Sequence, residues 1–396
     1  MYGQTIWQCY TGPLSKVPGP MIARWTNLIL KYHTLHGDRM QYIDNLHAKY
    51  GPVVCISPGE VAINDHEAVK TIQKISGGFD KSDWYGKTGP GLIGMRDRER
   101  HSRRRRLLAH PLSNSSLPHF EPLIQEKIDL AMAKIREEGR QLGYADVYKW
   151  FSLMATDIIG DLTFGSSFRM LEQGKRSQYV SDLQTIMQTV HKRAELSLLF
   201  YAMSYVPFSS FRESGRRFGR IIEYGRQSMH RLRKDFESGT LSTPFFFSKI
   251  MNIKDTENGL TAIEMEEEAS EFMITGTDTT SNTLTYLVWA VINHPAARSK
   301  LEWEINHMLP EKYTDSDIVK LEYLSCVVRE TLRLYGAASG SHPRCVPRGG
   351  WKTGNYYLPE GTVVLTQAYS LHRCPGIFPD PLRSVINEVV TVRAKD

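Results

Sequence analysis

The chain has 396 residues, of which 41% are hydrophobic and 10% aromatic, enough to bury a sizeable core and too apolar for a disordered protein. The formal net charge of +6 is modest for this length and makes no general case for nucleic-acid binding. Five scattered cysteines without zinc spacing do not form a disulfide framework and point to reduced, intracellular thiols, and no run approaches the roughly 18 to 20 apolar residues that cross a bilayer.

No Gly/Ser-rich, Pro-rich or charge-block linker and no repeat divides the chain, so residues 1–396 read as one domain. Met1 to Tyr10 are too short and too polar for an anchor or a signal peptide. Cys55 falls in a strand-like run. Seven arginines crowd between Arg96 and Arg106. A basic cluster can hold a phosphate backbone, but this one has no interleaved aromatics and no nucleic-acid module around it, so no nucleic-acid partner is expected and most of the arginines read as a solvated helix face. The run LSLLFYAMSYVPF from Leu196 to Phe208 suits shallow peripheral membrane contact, substrate access or buried core.

From about Glu264 to Asn293, Ala269, Phe272, Met273, Gly276, Leu284, Leu287, Val288 and Val291 recur at three-and-four spacing and mark one buried helix face. Gly276, Thr277, Asp278, Thr279 and Thr280 interrupt it with poor helix formers, glycine costing about 1 kcal/mol against alanine. Such a cluster either faces solvent or opens the hydrogen-bond ladder, freeing a carbonyl and a hydroxyl for water or a small ligand. Asp317 to Tyr335 forms a second helical pattern, with Leu321, Leu324, Val327, Val328 and Leu332 on one face and Glu330 and Arg333 spaced to pair. An irregular stretch with Pro343, Arg344 and Pro347 follows, then a turn at Gly349 and Gly350, strand-like runs including Thr362 to Thr366, and HRCPGIFPDP from His372.

In this order the motifs resemble the cytochrome P450 family, the haem-thiolate monooxygenases, in its fungal microsomal form, over most of the chain. Thr275 to Thr280 match the oxygen-activating helix except that Thr275 replaces its small first residue, Glu330 to Arg333 match the ExxR motif, and HSRRRRLLAH a helix that touches the haem propionates, with His101 in place of the family's Trp and Arg105 at its Arg. Pro13, Pro18, Gly19 and Pro20 resemble the proline-rich hinge, HAKYGPVVCISPGEVAI from His47 the first helix and strands, and ATDIIGDLTFG from Ala155 a helix of the fold.

The resemblance implies a mainly α fold with small β-sheets, haem b, and insertion of one oxygen atom into a lipophilic molecule, with electrons from an NADPH-dependent flavoprotein reductase. It assigns proton delivery to Asp278, a hydrogen bond to dioxygen or its water to Thr279, room on the helix to Gly276, propionate contacts to His101, Arg105 and Arg344, and structural roles to Glu330 and Arg333. No ligand set for a separate metal is expected. The family points to the endoplasmic reticulum surface, the absence of an apolar span to the cytoplasm. After Pro381 the family continues with an aromatic, a Pro-x-Arg meander and the loop whose Cys thiolate binds the iron. Here Ser384, Ile386 and Glu388 stand at the aromatic, Pro and Arg, so residues 384–396 are read as a divergent tail without the ligand cysteine. Glu330 and Arg333 are then expected to lack a third partner, leaving their charge poorly compensated. Cys345 and Cys374, on expected loops, are not read as substitutes. Two readings stay open: a monooxygenase of fungal secondary metabolism, or a truncated remnant or misjoined product unable to ligate iron.

Overall fold

The computed structural model describes residues 10–109, 111–182, 209–239 and 259–382, with the short pieces 185, 192, 195–196, 201, 245–247 and 251. The expected tail at 384–396, with Glu388, lies outside them, as does most of the apolar run 196–208. Helices dominate: α1 (Leu28–His36), α2 (Arg39–Tyr50), α3 (His66–Gln73), α4 (Arg98–Ala109), α5 (Leu117–Leu142), α6 (Val147–Phe164), α7 (Ser209–Glu237), α8 (Ala262–Asn293), α9 (Pro295–Met308) and α10 (Glu322–Tyr335). The strands β1 (Val53–Ser57), β2 (Glu60–Ile63), β3 (Asp80–Lys81), β4 (Ser341–Cys345) and β7 (Val363–Gln367) form a sheet in the order β1-β2-β7-β4-β3, and β5 (Trp351–Thr353) pairs with β6 (Tyr356–Leu358). The expected α+β class is observed.

The proline segment is held against the sheet. The Cys55 amide donates to Pro18 O at 2.8 Å, and a Cβ at Gly19 would overlap the Cys55 carbonyl, so only glycine permits this approach. The main helical core gathers Trp150, Leu153 and Met154 of α6, Ile221 and Leu232 of α7, and Met265, Ala269 and Met273 of α8. A second cluster, built on Val53, Val61 and Val364, fills one face of the sheet.

α8 starts two residues before the periodicity predicts. The Thr261 hydroxyl accepts from the Glu264 amide at 3.2 Å and the Glu264 carboxylate accepts from the Thr261 amide at 2.9 Å, a capping box that satisfies two otherwise orphaned donors. No break opens at Gly276, and α8 is continuous from Ala262 to Asn293. Its central buried stripe is Ala269, Met273, Thr277 and Ser281, and the last two are fully buried hydroxyl residues. Each returns its hydroxyl to the carbonyl one turn back, Thr277 to Met273 at 2.9 Å and Ser281 to Thr277 at 3.0 Å, so they pack as small core residues.

Three other expectations are corrected. The pattern 317–335 is divided by residues 319–321 into Asp315–Ile318 and α10, and Leu332 is 44% exposed because the buried face turns toward Glu330, Thr331 and Leu334. The expected irregular stretch at Pro343 is β4, and Cys345 ends that strand instead of lying on a loop. Pro343 is tolerated because two-residue β3 pairs only with Arg344 and Cys345, leaving β4 an edge at Pro343.

Candidate functional site

Three elements bring the predicted cations together. His101 and Arg105 lie one turn apart on α4, Arg344 lies on β4, and β3 sets Lys81 directly opposite Arg344. Burial lowers the His101 pKa, and the positive fields of Lys81, Arg105 and Arg344 lower it further. Lys81 is pushed down to about 8 by burial and then by Arg344, against the opposing pull of Glu271 and Glu268 on α8. Tyr85 shares both strand cations, its ring centroid 5.1 Å from the Arg344 guanidinium carbon and 5.3 Å from Lys81 Nζ. Like charges held this close are relieved by a polyanionic guest.

Lys81 is the residue that sequence reasoning missed. Its partner Arg344 is far away along the chain, and only the strand register joins them. Arg104 is a correction of another kind. Expected to be solvated, it is 2% exposed and meets Glu264 at 3.2 Å, Glu267 at 3.0 Å and Glu268 at 2.9 Å. Arg103 is also engaged, with Glu264 at 3.3 Å and with the Gly259 carbonyl. Arg105 is exposed and borders, with Arg98, Ser102 and Arg106, an open depression of about 780 Å³. One residue along a helix is a rotation of about 100°, which separates the buried Arg104 from Arg105.

The oxygen-helix residues are placed as follows. Gly276 presents its open side to α6, where an added Cβ would stand 2.9 Å from Ile159 Cγ1, so its visible role is close helix packing. Thr279 is exposed and donates its hydroxyl to Thr275 O at 2.6 Å. Asp278 is half-buried, and its charge helps raise the pKa of Tyr148 on α6, after the larger effect of burial. The Arg176 guanidinium carbon lies 5.6 Å from the Tyr148 ring centroid, so Asp278 sits in a local charged and aromatic group.

Glu330 and Arg333 are both buried and form a two-pronged pair, Nε to Oε2 and Nη2 to Oε1, each at 2.7 Å. Arg333 Nη1 donates to the carbonyls of His372 and Pro381, each at 2.8 Å, and the guanidinium lies 4.7 Å from the Phe378 ring centroid. The expected poor compensation is therefore corrected: backbone carbonyls from the segment after the short helix Ala368–Leu371 complete the arginine's partners.

A second cavity of about 780 Å³ is lined by Ser82, Trp84 and Lys87 before α4, by Ala337 and Pro343, and by Leu196. Because side chains alternate along a strand, Pro343 and Cys345 face this cavity while Arg344 turns to the opposite side. Cys345 stands near Asp83, Arg96 and Asp80, and burial pushes its thiol up, away from the thiolate form that binds metals.

The cradle fits a haem by its carboxylates, since propionates are anionic, Arg105, Arg344 and Lys81 are cationic donors, and His101 can donate a ring N–H without being charged. A family model described as Cytochrome P450 matches residues 17–383. The chain belongs to the cytochrome P450 family. This P450 is 39% identical over 383 residues to the cytochrome P450 monooxygenase tazI of Aspergillus terreus, a match covering 96% of this chain and 78% of that protein. It is 32% identical over 388 residues to the cytochrome P450 monooxygenase aflV of Aspergillus parasiticus, covering 94% and 75%. To the benzoate 4-monooxygenase bphA of Aspergillus niger it is 30% identical over 409 residues, covering 93% and 77%. The family's cofactor is haem, and its members draw electrons from redox partners and act mainly on lipophilic molecules. Among the described residues of this P450, no helix is long and apolar enough to cross a membrane.

Proposed function

We propose that this P450 inserts one atom of dioxygen into a lipophilic small molecule of fungal secondary metabolism, using two electrons from an NADPH-dependent flavoprotein reductase and two protons to release the other atom as water. Haem, when bound, supplies the iron at which dioxygen is activated. Arg105, Arg344, Lys81 and the His101 ring N–H would hold its propionates, and the strand register that sets Lys81 opposite Arg344, with His101 in the fields of both and of Arg105, is the observation that carries the reading. Asp278 moves protons inward from the Tyr148 side, and Thr279 turns its hydroxyl from the Thr275 carbonyl toward the reacting oxygen. Gly276 lets α8 lie close on α6, and Glu330 with Arg333 fixes the segment around His372.

The thiolate ligand is the part of this reading that a spectrum reads directly. Reconstitution with haem followed by the reduced carbon-monoxide difference spectrum tests it. A thiolate-type Soret band supports the monooxygenase, and a band of the nitrogen-ligated type, or none, favours a protein that does not activate dioxygen.

A further inference from the structure

The stretch Gly89–Met95, between β3 and α4, is gripped at one dipeptide from both sides. Glu271 of α8 accepts the amide of Ile93 at 2.5 Å. From the sheet side, Lys81 Nζ donates to the carbonyls of Leu92 at 2.9 Å and Ile93 at 2.8 Å. The Leu92–Ile93 peptide group is thus held by charged side chains at both its carbonyl and its amide. Two glycines permit it. A Cβ at Gly91 would overlap the Glu271 carboxylate, and one at Gly94 would overlap the Gly89 carbonyl. Leu92 packs its side chain against the helical core, so the dipeptide is anchored as well as bonded.

We propose that Glu271 and Lys81 are positioning residues, a clasp on Leu92–Ile93 that fixes β3 against α4 and aims Lys81 into the cation cradle. The inference rests on the reading of that cradle as a propionate site. Lys81 has three protons, and the loop carbonyls use two, leaving one for an anionic guest. Held by the loop, the ammonium meets that guest with little further ordering. The clasp is built of groups that respond to pH. Glu271 is pushed up to about 7, by burial first and Glu268 second, with the Ile93 amide, Lys81 and Arg104 acting in the opposite sense. Lys81 faces Arg344, Glu271, Glu268 and His101.

The test combines amide hydrogen exchange with haemin titration on the full chain. Lys81→Met removes no bond to the Ile93 amide hydrogen, yet the clasp predicts at least tenfold faster exchange at Ile93, restored by Lys81→Arg. Unchanged exchange in Lys81→Met overturns the clasp. Glu271→Ala gives opposite signs for two explanations. Loss of a negative charge beside the cradle tightens haemin binding if Glu271 acts only by its field, whereas loss of positioning weakens it several-fold. Glu271→Met, which keeps the bulk but has no oxygen for the Ile93 amide, serves if the alanine variant does not fold, with the same signs. Tighter haemin binding overturns the positioning role. If the unaltered protein takes up no haemin, the cradle reading fails, and hydrogen exchange alone decides whether the clasp exists.

Discussion

Arg333 spends two of its hydrogen bonds on the Glu330 carboxylate, both at 2.7 Å, and a third nitrogen on the carbonyls of His372 and Pro381. One helix side chain therefore ties α10 to a segment that follows the sheet. Truncation leaves a buried carboxylate and two carbonyls without their donor. Arg333→Ala is expected to lose about 3 to 5 kcal/mol, the range for breaking a buried pair from one side. Denaturant unfolding followed by far-UV circular dichroism measures it, and a loss below 1 kcal/mol would show that the pair is dispensable.

Gly276 and Ile159 set the approach of α8 to α6. Alanine at 276 gains about 1 kcal/mol of helix propensity but places a methyl 2.9 Å from Ile159 Cγ1, and overpacking of this kind costs about 1 to 3 kcal/mol. Gly276→Ala should be net destabilising, and Ile159→Ala in the same chain should recover part of the loss. Thermal melts of the two single variants and the double variant decide it. Simple additivity would mean that the two sites do not touch.

Thr279 and Thr277 should separate by what they affect. Thr279 is exposed and bonded only to its own helix, so Thr279→Ala is expected to change stability by no more than about 0.5 kcal/mol. Its effect belongs to turnover, as more NADPH consumed and peroxide released for each product molecule. Thr277 is fully buried, and enlarging it should act on stability first. Equal coupling of NADPH to product in Thr279→Ala and the unaltered protein would remove Thr279 from proton delivery.

Asp161 gives a pH dependence with a definite sign. Burial raises its pKa from 3.8 to about 6, against the pull of Lys127, whose Nζ is 3.4 Å from Oδ2. Between these values the unfolded chain has released the proton that the folded protein keeps, so stability falls as pH rises from about 4 to 6 and is level above that for this group. Asp161→Asn should flatten that slope in urea titrations at pH 4, 5, 6 and 7. An unaltered slope would assign it to other carboxylates.

Much of the fold was legible because its signals are local. The three-and-four spacing located α8, and Thr261 with Glu264 shows why the periodicity began two residues late: a capping box is polar and adds nothing to an apolar stripe. The ExxR pairing followed from spacing along one helix. What stayed hidden depends on partners distant in sequence. The acidic positions 264, 267 and 268 are visible as a stripe, but nothing local says that Arg104 and not Arg105 turns toward them. Lys81 becomes part of the cradle only through its register with Arg344, and Pro343 concealed the strand that creates it. The carbonyls that complete Arg333 come from a turn whose backbone no motif describes.

Haemin titration followed by absorbance measures whether Lys81, His101, Arg105 and Arg344 act as one carboxylate-binding cradle. A charge-assisted hydrogen bond is worth about 1.5 to 3 kcal/mol, so Arg344→Ala should weaken haemin binding by roughly 10- to 100-fold, and Arg105→Ala, at an exposed position, by less, up to about fivefold. Haemin in which both propionates are esterified should bind the unaltered protein at least as weakly as free haemin binds Arg344→Ala. Equal affinity for haemin and its diester, with both arginine variants unaffected, would show that no such cradle exists.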